Sequence, residues 1–162
     1  MSGKKAESVS ERRRFFWLPI CYNGKKEAVR MVKSQIQAEI NADLAAVWAL
    51  VTDVSRADWR SDVKKIEVVQ AGSQFIEYAE DGTATAFTVT AKHPYKRYEF
   101  TMENKHLSGR WTGRFAGIDG RTQVVFTEYI TVKKIWMRPF AKRYLKKQQT
   151  RYIEDVKRAL GV

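Results

Sequence analysis

Glu128 is the side chain whose surroundings in the sequence point most directly to chemistry. A two-residue turn at Asp119-Gly120 pairs Phe115 with Val124, Gly113 with Phe126 and Trp111 with Glu128. That register puts a carboxylate on the same sheet face as Trp111, Phe115 and Phe126, where it needs either a partner or a proton. If it faces a cavity, burial raises its pKa and suits it to proton transfer or to receiving a ligand hydroxyl. If it bonds to the backbone or to a helix side chain, it is structural. Tyr78, Tyr98 and Tyr144 can direct hydroxyls at a ligand, although a buried tyrosine more often bonds locally while its ring fills core. Glu128 and Tyr78 are therefore the candidate catalytic groups.

Other chemistries find little support. His93 precedes Pro94 and His106 falls in the next turn, with no spacing for a metal or a triad, and both read as solvated. A single cysteine, Cys21, excludes an internal disulfide framework. There is no Gly-x-Ser-x-Gly elbow, no Gly-x-x-x-x-Gly-Lys loop and no Gly-x-Gly-x-x-Gly fingerprint, so no metal or cofactor is expected.

The elements that must position Glu128 follow from periodicity. From Val32 to Ile40, Val32, Ser34, Ile36, Ala38 and Ile40 alternate with polar residues, as in a half-buried strand. Asp43 can cap a short helix in which Leu44, Val47, Trp48 and Val51 share a face. Asp53 to Asp62 reads as a loop or broken helix, with Trp59 a large aromatic that fits no period. Short strands follow, at about Val63–Gln70, Ser73–Glu80, Thr83–Ala91, Lys96–Asn104, Leu107–Ile118 and Arg121–Val132, separated by Ala71-Gly72, Asp81-Gly82, Pro94-Tyr95 and Asp119-Gly120. Treated as a two-residue loop, Asp81-Gly82 sets Ile76 beside Phe87, Tyr78 beside Thr85 and Gln74 beside Val89 on the inner face. In the next strand Tyr98, Phe100 and Met102 share one face. Gly113, opposite Phe126, either bends the sheet or leaves room for a ligand.

The last element, Met137 to Leu160, is an amphipathic helix. Met137, Ala141, Tyr144, Gln148, Tyr152, Val156 and Leu160 form its stripe, Phe140, Leu145 and Ile153 widen it, and Gly161 ends it. Lys157 and Arg158 suit the negative helix end.

With 162 residues and 44% hydrophobic content, the chain fits one domain with a sizeable core. Residues 1–30 form an appended arm. Through Lys33 it carries nine basic residues against three acids, which is half of the net charge of +12. Phe15, Phe16 and Trp17 beside those cations suit an interfacial anchor on an anionic membrane, or a leader whose aromatics dock on the domain or stay disordered. The brevity of the apolar run favours the leader. The run from Phe15 to Tyr22 has eight residues where a membrane span needs about 20, and no small-residue cleavage pattern follows it. A cytoplasmic home, peripheral to a membrane if the arm anchors, is the expectation.

Strand, short helices, six-stranded meander and long terminal helix form an α+β order, with about seven strands curved around that helix. Residues 31–162 resemble the START, polyketide cyclase and plant-allergen superfamily (SRPBCC), particularly its small bacterial polyketide cyclase/dehydratase-like members. The resemblance rests on the run from Ile40 to Asp53, INADLAAVWALVTD, on Trp59, on Ser108-Gly109-Arg110-Trp111-Thr112-Gly113, on Phe126-Thr127-Glu128 and on the terminal helix. It implies a helix-grip fold with a hydrophobic cavity between sheet and helix for a lipid, polyketide-like, isoprenoid or aromatic molecule. Catalysis does not follow from the fold.

Trp59, Tyr78, Phe87, Tyr98, Phe100, Met102, Trp111, Phe115, Phe126, Glu128 and Tyr144 are accordingly expected around such a ligand. Three functions remain open: a carrier of a small apolar molecule, a cyclase or dehydratase using Glu128 as general acid or base, and a basic protein peripheral to membranes or RNA. Specific nucleic-acid recognition is disfavoured because no RNA-binding motif is present.

Overall fold

A computed structural model describes residues 31–162, so the basic arm lies outside the described residues. Val32–Ile40 forms β1, Leu44–Thr52 α1, Val63–Gln70 β2, Gln74–Ala79 β3, Ala84–His93 β4, Arg97–Glu103 β5, Leu107–Ile118 β6, Arg121–Val132 β7 and Arg138–Leu160 α2. A 3-10 turn, Ile135–Met137, leads into α2. The strands make one antiparallel sheet in the order β1-β7-β6-β5-β4-β3-β2. It curves around α2 as a helix-grip fold, and register shifts between β2 and β3 and in β4 at Val89 to Ala91 help it bend.

Local rules explain most boundaries. Asp43 Oδ1 accepts from the amides of Ala45 and Ala46 at 2.8 and 3.4 Å, opening α1. Gly161 closes α2 in the left-handed region at φ 74°. One helix rather than several separates β1 from β2 among the described residues. Beyond it the chain is held in turns, where the Asp53 carboxylate accepts from the Ser55 amide and hydroxyl.

The two Asp-Gly turns differ, and the difference decides which residues face inward. At Asp119-Gly120 both residues have positive φ, 50° and 74°, as a two-residue type I′ turn requires, and the expected register holds: Phe115 faces Val124, Gly113 Phe126 and Trp111 Glu128. At Asp81-Gly82 only the glycine has positive φ. The Ala79 amide donates to the Thr83 carbonyl and the Gly82 amide to the Ala79 carbonyl, closing a three-residue loop. One extra loop residue reverses the faces of β3. Phe75, not Ile76, pairs with Phe87, and Glu77, not Tyr78, pairs with Thr85. Phe75 and Glu77 point inward.

Helix α2 is rolled from its expected orientation. Leu145, Gln149, Ile153, Asp155 and Val156 are buried, whereas Phe140 and Tyr144 are exposed. The polar Gln149 occupies the middle of the buried face because Ser34 Oγ donates to its Oε1 at 2.8 Å and its Nε2 donates to the Ser34 carbonyl at 3.2 Å. This clamp ties α2 to β1. Trp48, Tyr98, Phe115 and Phe126 pack with Val47, Ile153 and Val156 into the main core at one end of the sheet, while Ile130, Val132 and Leu145 form a smaller cluster near the start of α2.

Candidate functional site

A cavity of about 650 Å³ lies between the concave sheet face and α2. Its walls follow from the strand register. Phe75 of β3 stacks on Phe87 of β4 with ring centroids 4.8 Å apart, and Phe100 of β5 stacks on Trp111 of β6 at 4.9 Å. Trp111 leans on Phe126 of β7, and the next inward residue of that strand is Glu128, directly opposite Trp111.

The Glu128 carboxyl opens on this cavity. Burial, only partly offset by the attraction of Arg60, raises its pKa to about 7. Among the described residues its carboxylate makes no hydrogen bond within the protein, so it is free to bond whatever enters.

A second polar group comes from the loop after α1 and was not visible in the sequence. Arg60 Nε and Nη2 donate to the two oxygens of Asp62 at 2.9 and 3.0 Å, and Nη1 reaches Glu77 at 3.4 Å. The guanidinium carbon lies 4.7 Å from the Tyr152 ring centre and 5.6 Å from that of Trp59, so the charge rests against two rings that meet edge to face 5.4 Å apart. Burial pulls the Arg60 pKa downward, but Glu77, Asp62 and Tyr152 outweigh it and the guanidinium stays charged. Burial, with Asp62 adding to it, raises the Glu77 pKa against the opposing pull of Arg60. Burial also lifts the Tyr98 hydroxyl to about 12, with Glu77 adding to the effect, and raises that of Tyr152. Trp59 Nε1 is a buried donor with no partner among the described residues.

The loop holding Arg60 is itself fixed from below. Asp155, only 1% exposed on α2, accepts from the Ser61 amide at 2.8 Å and from its hydroxyl at 2.9 Å, while Arg158 donates to its other oxygen at 2.6 Å. Arg158 also donates to the Trp59 carbonyl at 3.1 Å.

Of the residues expected around a ligand, Trp59, Phe87, Tyr98, Phe100, Met102, Trp111, Phe126, Glu128 and Tyr144 line the cavity. Tyr78 does not. It lies on the outer face, with its hydroxyl 3.3 Å from Glu67 and Lys65 over its ring, because of the three-residue loop beneath it. Phe115 is also elsewhere, packed on Trp48 at 5.1 Å in the core beyond the cavity. The space over Gly113 belongs to the Trp111 ring, which a Cβ there would strike, and offers no room for a ligand. His93 is exposed beside Arg97, whereas His106 is half-buried in the cavity wall with Nδ1 unpartnered among the described residues, contrary to the solvated reading.

The missed residues Arg60, Asp62, Glu77 and Gln149 are charged or polar groups in segments that read as loop or solvent face, whereas Tyr152 stands on the expected helix stripe but was not among the residues expected around a ligand. The only available signal was the density of aromatics and charge around Trp59. Among the described residues no cluster of ligating side chains could hold a metal ion, and no helix is long and apolar enough to cross a membrane.

The fold agrees with comparisons to known proteins. Residues 31–161 match the family of polyketide cyclase/dehydrase and lipid transport proteins, and the chain belongs to that family. It is thereby a member of the SRPBCC superfamily. Similar solved structures include a START superfamily protein from Mycobacterium smegmatis, with a TM-score of 0.71 at 13% identity over 77% of this chain and 94% of that one. A conserved protein from Geobacillus kaustophilus gives 0.70 at 15% identity over 80% and 95%. The Zhui aromatase/cyclase of a Streptomyces species gives 0.67 at 15% identity over 79% and 92%. At these identities the structures share the fold. Comparison with curated protein sequences returns no match.

Proposed function

We propose that this protein binds a small, largely apolar molecule bearing at least one oxygen function, held between the stacked aromatic walls and hydrogen-bonded by Glu128. The observation that carries this reading is the Glu128 carboxyl, which opens on a cavity of about 650 Å³ with its pKa raised to about 7 by burial. A carboxyl poised near neutrality can donate to a carbonyl when protonated or accept from a hydroxyl when ionised. The aromatic walls supply the apolar contact that a planar or isoprenoid skeleton needs.

Small molecules released by denaturing the purified protein test this by mass spectrometry, with Ala141→Trp, which adds bulk to the cavity lining, as control. A stoichiometric apolar compound, absent from the variant, is expected. Failure of the native protein to retain any such compound, or to take up polyketide-like and isoprenoid probes added in excess, would defeat the reading.

One observation favours catalysis as the second reading. A general acid or base works best with a pKa near the ambient pH, which is where Glu128 stands. With an aromatase/cyclase among the similar folds, a polyketide is the substrate class to try. Glu128→Gln then separates the two: a carrier keeps most of its affinity, whereas an enzyme loses turnover on the order of 100-fold or more.

A further inference from the structure

Four large apolar side chains cluster where the 3-10 turn meets α2. Ile135, Trp136, Phe140 and Tyr144 are between 56 and 69% exposed. Isolated exposed apolar residues are ordinary, but a contiguous cluster of this size marks a surface that is covered in use. The charge around it is one-sided. Between Glu128 and Glu154 the chain has no acid and eight cations. Arg143 and Lys147 follow Phe140 by three and seven residues, so they project from the same side of α2. Among the described residues, only Lys133 of the eight forms an ion pair, with Glu103 at 2.9 Å.

We propose that this face docks on an anionic phospholipid bilayer, with Trp136 and Phe140 entering the interface and Arg143 and Lys147 meeting the headgroups. Aromatic side chains ringed by cations are the composition that interfacial binding rewards, each contributing where the other cannot. The charge argues against other occupants. The arm at residues 1–30 is itself strongly basic and would be repelled, as would a second copy of the same face. Aliphatic Ile135, at the head of the patch, gives nucleic acid nothing to stack on or hydrogen-bond to, but is well placed against hydrocarbon. Trp136, Phe140 and Tyr144 also line the cavity, so docking sets that part of its lining against the bilayer. The surface stands whether or not the cavity holds a ligand.

The test is cosedimentation of the full chain with vesicles of phosphatidylcholine alone and with an equal part of phosphatidylglycerol. Salt-sensitive binding to the anionic vesicles alone is expected. Trp136→Ser with Phe140→Ser, and separately Arg143→Glu with Lys147→Glu, should each lower it about tenfold or more, with unchanged thermal melting because all four positions lie outside the core. Brominated lipid should quench a component of tryptophan emission that Trp136→Phe removes. No binding to anionic vesicles overturns the proposal. So does binding that survives both α2 variants and is lost in Phe15→Ser, Phe16→Ser, Trp17→Ser, which would assign it to the arm. Retention of RNA without retention of vesicles overturns it as well.

Discussion

Arg60 and Glu77, 17 residues apart, meet at 3.4 Å inside the cavity, joining the loop after α1 to the third strand. Because the same guanidinium also grips Asp62, two half-buried carboxylates depend on one cation. Removing the cation leaves both uncompensated, which is the expensive way to break a buried pair. Arg60→Met should therefore destabilise the fold by about 3–5 kcal/mol. The double variant Arg60→Met, Glu77→Gln should recover part of that loss, because the amide removes one stranded charge. Equilibrium denaturation of the four proteins of the cycle measures both quantities. Additive effects would show that the two side chains do not interact.

The reversed face of β3 gives a second prediction. Phe75 is buried and stacked on Phe87, so Phe75→Ala should cost about 3–5 kcal/mol. The Tyr78 hydroxyl bonds Glu67 at the surface and Lys65 lies over its ring, so Tyr78→Phe should change stability by less than about 0.5 kcal/mol. Denaturant midpoints decide it. The two-residue register read from the sequence predicts the opposite ranking.

These two positions also show what could be read from the sequence. The strand boundaries, the Asp43 cap, the Gly161 stop and the whole β6–β7 register follow from alternation and from one type I′ turn, because such signals are local. Asp81-Gly82 carries the same dipeptide, yet its loop closes through Ala79 and Thr83, and no residue type in it announces the extra position. Gln149 was unreadable for another reason. A glutamine at the centre of a buried face makes sense only once Ser34, 115 residues away in the chain, is opposite it. Arg60 needs Asp62, Glu77, Trp59 and Tyr152 together, and periodicity along a chain says nothing about such a meeting.

Glu128 links the site to stability through pH. Its pKa is about 7 in the folded protein against an ordinary value of 4.5, so the folded state holds its proton more tightly than the unfolded chain. Stability from this group is then fully present below about pH 4.5 and is lost as pH rises through about 7. Glu128→Gln, which stays neutral, should match the native protein near pH 5 and exceed its stability by about 1–3 kcal/mol near pH 8. Denaturation at the two pH values checks the difference, and carbon NMR of the carboxyl should show a midpoint close to 7. A variant less stable than the native protein at the higher pH would mean that the carboxylate has a bonding partner.

Asp155 tests how the Arg60 loop is held. Its oxygens take the amide and hydroxyl of Ser61 and the guanidinium of Arg158, and that guanidinium continues to the Trp59 carbonyl, so one buried carboxylate holds the loop on both sides of Arg60, at Trp59 and at Ser61. Asp155→Ala strands the Ser61 amide and should cost about 2–4 kcal/mol. Asp155→Asn keeps an acceptor for Ser61 but loses the charge that attracts Arg158, so its cost should be about half as large. The more telling readout is local. With the loop released, Trp59 and Arg60 lose their fixed distance from Tyr152, so amide hydrogen exchange should rise over Ala57–Asp62 before it rises in the sheet. Exchange that rises everywhere at once would show that Asp155 serves the fold as a whole and does not specifically position the cavity wall.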